Sequence, residues 1–576
     1  MKKAPLILNL IAGITLIKPA SACTNYLVTK SASTDGSTFI SYAADSHIRY
    51  GELYFKPRAK WPAGSMVTIY DRGTNKPLGQ ITQFSETYQV IGFMNEYQVA
   101  IGETTFGGIE ELMDTTAIID YGSLMFLALQ RAKTAREAIK VMVGLVEQYG
   151  YASSGESFSI GDPNEVWILE MIAKKTNLKY DKKLKGNINI DRGAIWVAVR
   201  IPDGYISAHA NQARIQQFPL ENLKTSISSK NLHLINNPDI NVIYSYDVID
   251  YARKHGYYNG VDTEFNFSNA YNPITFDGAR FCEARVWAFF NHAADDMDKF
   301  WDYAKGENLK NRMPLYIKPN RKLSVLDLMS FKRDHLEGTE LDMSKDVGAG
   351  PHGLPYRWRP LTWSVNGENY FHERVTATQQ TGFSFIAQMR SWLPAPIGGI
   401  FWFGVDDAAS TVYVPIYCGI NRVPESYAEG NGDMLTYSPT SAFWVFNRVA
   451  HFAYLRYDLI IKDINKIQNE LETKFIAYTP AVDAAALKLY ETNPELATEF
   501  LTDYSINMAN ATVQRWNDLS NYLLVKYIDG NVKREKDGKF LRNPWGFSID
   551  PSQPGYKKEW LETIVKETGD KFKEPQ

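Results

Sequence analysis

Cysteine is scarce: the chain has three among 576 residues. Three leave at least one thiol unpaired, and no metal-type CxxC spacing occurs. Histidine is sparse as well, with nine residues, none in a protease-like context. An excess of charge of one sign is missing too. The net charge of −3 gives no electrostatic case for a nucleic-acid partner, which favours a concentrated basic surface. Beyond the N-terminus no segment is long and apolar enough to cross a bilayer, where roughly 20 residues are needed. No internal repeat or low-complexity tract stands out. Asp406-Asp407 follow an apolar strand candidate, but no His or further carboxylate stands at suitable spacing. They read as a cap or turn, and neither a metal nor a cofactor is expected.

What is present begins with the first 22 residues. Lys2 and Lys3 form a basic start, Leu6 to Ile17 an apolar core, and Lys18-Pro19 break that run. Ala20-Ser21-Ala22 supply the small residues a signal peptidase accepts. Residues 1–22 therefore read as a cleavable Sec-type signal, and the product as exported, to the periplasm or the medium. Cleavage after Ala22 would make Cys23 the first residue, carrying both a thiol and a free α-amine. A thiol of pKa about 8.5 and an amine of about 7.7–8.0 both titrate near neutrality. The amine can then take the thiol proton with no histidine, as an N-terminal amine activates Thr. Two other readings of Cys23 stand beside this one. Ala-Ser-Ala-Cys is a degraded lipoprotein box, so the thiol is also a lipidation site. An oxidising compartment would equally permit a disulfide to Cys282 or Cys418.

About 550 mature residues exceed one simple core, so two structural units or one elaborated domain are expected. The 13 Trp and 34 Tyr suit a large core and a lined cleft. Strand signals fall at Tyr26 to Thr29, Thr38 to Tyr42, Gln89 to Phe93 and Val99 to Gly102, with a hairpin turn at Asn95-Glu96-Tyr97. They recur at Val166 to Met171, Ala194 to Val199, Tyr205 to Ala208, Gly399 to Val405 and Thr411 to Tyr417. Helical spacing runs through Tyr121 to Gln148, Ser441 to Thr473 and Pro480 to Lys526. The pattern predicts an α+β layered body with a helical C-terminal region.

Cys23-Thr24-Asn25 followed by Tyr42-Ala43-Ala44-Asp45-Ser46-His47 resembles the opening of the bacterial cysteine dipeptidases of the N-terminal nucleophile (Ntn) hydrolase superfamily. The resemblance continues through Phe93-Met94-Asn95-Glu96, Ile101 to Thr105, Glu156-Ser157-Phe158 and Asp203 to Ile215. Arg333 to Thr339, Tyr356 to Leu361 and Thr378 to Ser384 extend it, collinearly, over nearly the whole mature chain. It implies a four-layer αββα sandwich over residues 23–430, with 431–576 as a helical extension. It also implies Cys23 as nucleophile, acting on short peptides, most of all dipeptides.

Bile-salt hydrolases and penicillin V acylases share the superfamily and suggest further roles. Their early Asp, which holds the nucleophile's amine, matches Asp45, and their oxyanion-hole Asn matches Asn211. A late Arg matches Arg285. Two positions depart from the pattern. An expected Arg is Tyr42 here, and a second Asn falls near Glu103-Thr104. A carboxylate at Glu103 suits a substrate ammonium, with Thr104 beside it, and Arg214 suits a substrate carboxylate held bidentately. His47 and His209 are expected to orient or pack. The helical tail is expected to cap the cleft or to form a subunit interface, so a homo-oligomer stays open. An acylase of bile salts, penicillin V or N-acyl lactones is the alternative activity. A peptide-binding lipoprotein is the non-enzymatic one.

Overall fold

Two long strands of this chain are shielded from water from end to end. Thr38–Asp45 and Val166–Ala173 are buried along their full lengths. A strand covered on both faces loses the alternation of polar and apolar residues, and each of these lies inside a large sheet. The computed structural model describes residues 22–183 and 185–575. The expected signal sequence, Ala22 apart, lies outside them.

Among the described residues the first sheet has eight strands. In spatial order they are Tyr316–Ile317, Ile206–His209, Asn25–Val28, Thr38–Asp45, Thr381–Met389, Ile400–Val405 and Val414–Tyr417. The eighth, Ala22–Cys23, also pairs with Thr38–Asp45. The second sheet has nine strands and is centred on Ala194–Arg200, Val166–Ala173, Gly155–Gly161 and Ala100–Gly107. Its pairings are antiparallel except Ser226–Ser228 with Val242–Tyr244. The sheets stack with Asn25–Val28 and Thr38–Asp45 against Ala100–Gly107 and Gly155–Gly161. Gly102 sits in this seam, where an added Cβ would lie 2.8 Å from the Asn25 side chain and 3.1 Å from Tyr42 Cβ. Only glycine allows that approach.

Helices Tyr121–Leu129 and Ala135–Tyr149 cover the second sheet. The single helical stretch expected there is split because Asp120 and Thr134 each cap a helix start with a side-chain oxygen. Ala284–Ala293 and Val325–Phe331 cover the first sheet, joined by Ala442–Leu455, Tyr457–Thr492 and Pro494–Lys526. The order is therefore helix, sheet, sheet, helix.

The C-terminal helices break elsewhere than expected. The second passes through Pro480, and the break falls at Asn493-Pro494. There Asn493 Oδ1 accepts from the Glu495 and Leu496 N–H groups, and Pro494 takes the first helical position, where its missing N–H is harmless. These helices bury Phe446, Leu501, Trp516 and Leu523 in the same apolar core as the sheets. Arg390, just past the first sheet's Thr381–Met389 strand, pairs with Asp483, and Ser505 Oγ accepts from Tyr417 N at 3.3 Å. Residue 430 thus divides the chain by secondary structure but does not divide its core. Among the described residues, no helix is long and apolar enough to cross a membrane.

Candidate active site

Cys23 ends a two-residue strand, with Ala22 opposite Asp45 and Cys23 opposite Ala44. It is 3% exposed. Its nitrogen, a peptide N–H in this chain, donates to Asn211 Oδ1 at 2.8 Å. Its Sγ lies 3.8 Å from Tyr42 Oη and 3.9 Å from Glu103 Oε1, and Tyr42 donates to that same Oε1 at 2.6 Å. Burial pushes the thiol well above its usual range, and the Glu103 and Asp45 carboxylates push in the same direction. The Asp45 backbone N–H, facing the sulfur, works against them.

Asn211 follows the Ile206–His209 strand with φ of 66°, a left-handed conformation that Asn tolerates better than most residues. Its amide orientation is set by its neighbours. Oδ1 faces two donors, Cys23 N and Arg285 Nη2 at 3.0 Å, while Nδ2 donates to Thr105 O at 2.7 Å. Arg285 sits on Ala284–Ala293, two residues beyond the π-helical turn Gly278–Glu283. Its Nη1 donates to Cys23 O at 2.6 Å and to Thr24 Oγ1 at 2.7 Å. Burial, then the nearby Arg374, lowers this guanidinium to about 10, which still leaves it charged at neutral pH.

Asp45 takes a part different from the one expected. Its Oδ2 accepts from Arg374 Nη2 at 2.6 Å and its Oδ1 from Thr381 Oγ1 at 2.7 Å. The side chain that meets the Cys23 nitrogen is that of Asn211, expected instead at the oxyanion.

Tyr42, Glu103, Asn211, Arg285 and Asp45 thus gather around Cys23. Thr104 and Arg214 do not join them as substrate ligands. Thr104 Oγ1 is fully buried against His209 Nδ1 at 2.7 Å, while His209 Nε2 meets Ser159 Oγ at 2.6 Å. His209 is a packing group, held neutral by burial. Arg214 is 1% exposed and committed to Glu283 at 3.0 Å and to the Ala208, Leu315 and Pro314 carbonyls. All three cysteines are free, so the disulfide reading of Cys23 is not realised. Among the described residues no group of three or more His, Cys, Asp or Glu is arranged to hold a metal. Asp406-Asp407 form a buried turn whose carboxylates accept from Asn447, Tyr356 and Tyr454.

Three members of the site were not singled out from the sequence. Arg374 pairs with the Asp45 carboxylate. Lys332 Nζ donates to Thr24 O and lies 4.4 Å from the Tyr26 ring centroid; burial lowers it to about 7. Glu156 approaches Glu103 from the adjacent strand. Glu156 opens one of the family-like blocks and Lys332 directly precedes another, but nothing in local spacing ties either to Cys23. A cavity of about 490 Å³, lined by His292, Asp334, His335, Gln468 and Glu472 among others, does not include Cys23.

The chain is similar to a group of peptidases. The model of peptidase family C69 matches residues 57–470, a span that starts after Cys23. A probable dipeptidase of Latilactobacillus sakei is 26% identical over 83% of this chain and 92% of its own length. A probable dipeptidase B of Lactococcus lactis subsp. lactis is 23% identical over 88% of this chain and 95% of its own length. A probable dipeptidase of Salmonella dublin is 24% identical over 73% of this chain and 86% of its own length. With a family match across well over half its length and a buried cysteine placed among an amide, two arginines and paired acids, this chain belongs to peptidase family C69.

Proposed function

We propose that this protein is an exported cysteine dipeptidase with the αββα Ntn-hydrolase fold, its nucleophile created by cleavage between Ala22 and Cys23. The single observation that carries the reading is the separate handling of the two Cys23 groups. Asn211 Oδ1 holds the nitrogen at 2.8 Å, while Sγ lies free of a disulfide beside Tyr42 and Glu103. The helix–sheet–sheet–helix order and the names of the relatives support the fold and the substrate class. Export rests on Lys2, Lys3, the apolar core and Ala20-Ser21-Ala22.

In this reading the α-amine takes the thiol proton, and the thiolate adds to the peptide carbonyl carbon. The oxyanion is met by the Asp45 N–H, which faces Sγ, and by Asn211 Nδ2 once it leaves Thr105 O. Collapse breaks the C–N bond, and the α-ammonium returns the proton to the departing amine. Water then loses a proton to the α-amine and displaces the thiolate, releasing the acid and restoring the thiol. Arg285 fixes the Cys23 carbonyl and Asn211 together, so the nucleophile is positioned before substrate arrives.

Intact mass of the secreted protein, paired with hydrolysis of a dipeptide panel by wild type and Cys23→Ala, tests the reading. The expected result is an unmodified Cys23 terminus and an inactive variant. A lipidated or differently placed terminus, or a fully active variant, removes the mechanism.

A further inference from the structure

Two acids meet beside the nucleophile with no basic partner. Glu103 and Glu156 lie on neighbouring strands, in a register that sets Thr105 opposite Glu156 and Phe158 opposite Glu103. That diagonal puts both carboxyl groups on one face of the sheet. Each has one oxygen satisfied: Glu103 Oε1 by Tyr42 at 2.6 Å and Glu156 Oε1 by Thr105 Oγ1 at 2.7 Å. Each Oε2 is buried and meets no donor from any other residue, so the two carboxyls turn to each other and share a proton. The residues are 2% and 1% exposed, and among the described residues neither forms a salt bridge. The titratable groups around them are Cys23, Tyr42, Tyr121, Tyr151, Asp120, Arg49 and Arg72. Both cations are hydrogen-bonded elsewhere, Arg49 to Tyr121 and the Arg72 carbonyl, and Arg72 to Tyr54 Oη at 3.0 Å.

We propose that Glu103 and Glu156 form the receptor for the substrate's α-ammonium, and that its arrival converts the adjacent Cys23 from a disfavoured to a favoured thiolate. The inference rests on Cys23 being the nucleophile. An ammonium brings three donors and one positive charge to a place where two buried carboxyls have only a shared proton between them. Burial and the Glu103 carboxylate raise Glu156 well above the ordinary carboxyl range, so the empty pair keeps a proton. The remaining negative charge lies 3.9 Å from Sγ and opposes ionisation of the thiol. A bound ammonium cancels that opposition at the moment the nucleophile is needed. A free substrate N-terminus is therefore read in kcat as well as in KM, since its charge assists the transition state more than the ground state.

The test uses the processed full-length enzyme, a dipeptide, its N-acetyl counterpart, and iodoacetamide alkylation of Cys23 followed across pH. For wild type, N-acetylation should lower kcat/KM by about 10²-fold or more, with much of the loss in kcat. Glu103→Gln should speed alkylation at pH 7 by about tenfold, because a like charge has gone, while dipeptide turnover falls. Glu156→Gln, which keeps a hydrogen-bonding oxygen for Thr105 and replaces the carboxyl that already carries the proton, should leave alkylation nearly unchanged while dipeptide turnover falls. Equal wild-type use of the two substrates overturns the proposal, as does slower alkylation in both variants with the preference for a free terminus intact. Retained hydrolysis after complete alkylation of Cys23 overturns the nucleophile assignment itself. The wild-type substrate comparison separates that failure from a failure of the receptor.

Discussion

Arg374 Nη2 donates to Asp45 Oδ2 at 2.6 Å across 329 residues of chain, and both side chains are buried. The pair ties the end of the Thr38–Asp45 strand, beside Cys23, to the segment leading into Thr381–Met389.

Arg374→Met should be strongly destabilising. It leaves Asp45 buried with Thr381 Oγ1 as its remaining side-chain donor, and breaking one half of a buried pair costs about 3–5 kcal/mol. The double variant with Asp45→Asn should recover part of that loss in urea denaturation. A single variant as stable as wild type would show that the pair does not hold in solution.

Asn211→Ala removes the acceptor shared by the Cys23 nitrogen and Arg285. Turnover should fall about 10²-fold with KM little changed, because the amine loses its position and the substrate contacts do not. Asn211→Asp keeps an acceptor and should retain more activity than the alanine variant. Steady-state kinetics of the two, ranked the other way, would remove the amine-holding role.

Lys332 gives a pH signature. Burial lowers it to about 7 in the folded protein, against an ordinary value of 10.5 in the unfolded chain. Below pH 7 both states are protonated, and the penalty for burying the charge is fully present. Between pH 7 and 10.5 the unfolded chain binds more protons, so this residue's contribution moves toward stability as pH rises. In Lys332→Met that slope is absent. Unfolding free energies at pH 6, 8 and 9.5 should therefore shift steadily in favour of wild type, and a constant difference would contradict a titrating Lys332.

Trp516 stacks on Phe446 with ring centroids 4.8 Å apart, and it is fully buried. Trp516→Ala should cost about 3–5 kcal/mol in denaturant unfolding. Because the C-terminal helices share a core with the sheets, the loss should appear as one cooperative transition of the whole chain. Two separated transitions would mean that the helices fold as a unit of their own.

Local pattern made part of this legible and long-range placement hid the rest. The Val166–Ala173 and Ala194–Arg200 strands stand out because their apolar runs are long and bounded by turns. Thr381–Met389, at the centre of the first sheet, does not: its Ser, Gln and Gly residues break the apolar run, and it is buried only because neighbours cover both sides. The break at Asn493-Pro494 was written in the sequence, but Pro480 carried the louder local signal. At the site, Cys23 was exposed by its place after Ala20-Ser21-Ala22, and Asp45, Asn211 and Arg285 by resemblance. The Asp45 carboxylate pairs with Arg374 while Asn211 meets the Cys23 nitrogen, and no spacing rule links residue 374 to residue 45. Glu156 faces Glu103 through strand register, a relation that exists only once the sheet has formed.

The pairing of Ala22 with Asp45 bears on the order of events in the life of the protein. Once the sheet has formed, the bond between Ala22 and Cys23 runs within a hydrogen-bonded ladder, and Cys23 is hidden from solvent. A processing enzyme needs its target extended in its own cleft, which would require pulling that strand out of the sheet. If Cys23 is freed by cleavage, as proposed, cutting is a race against folding. Molecules trimmed while still unfolded would gain a free Cys23 amine, and those that fold first would lock the uncut bond away. Delayed folding, not faster processing, would then raise the active fraction.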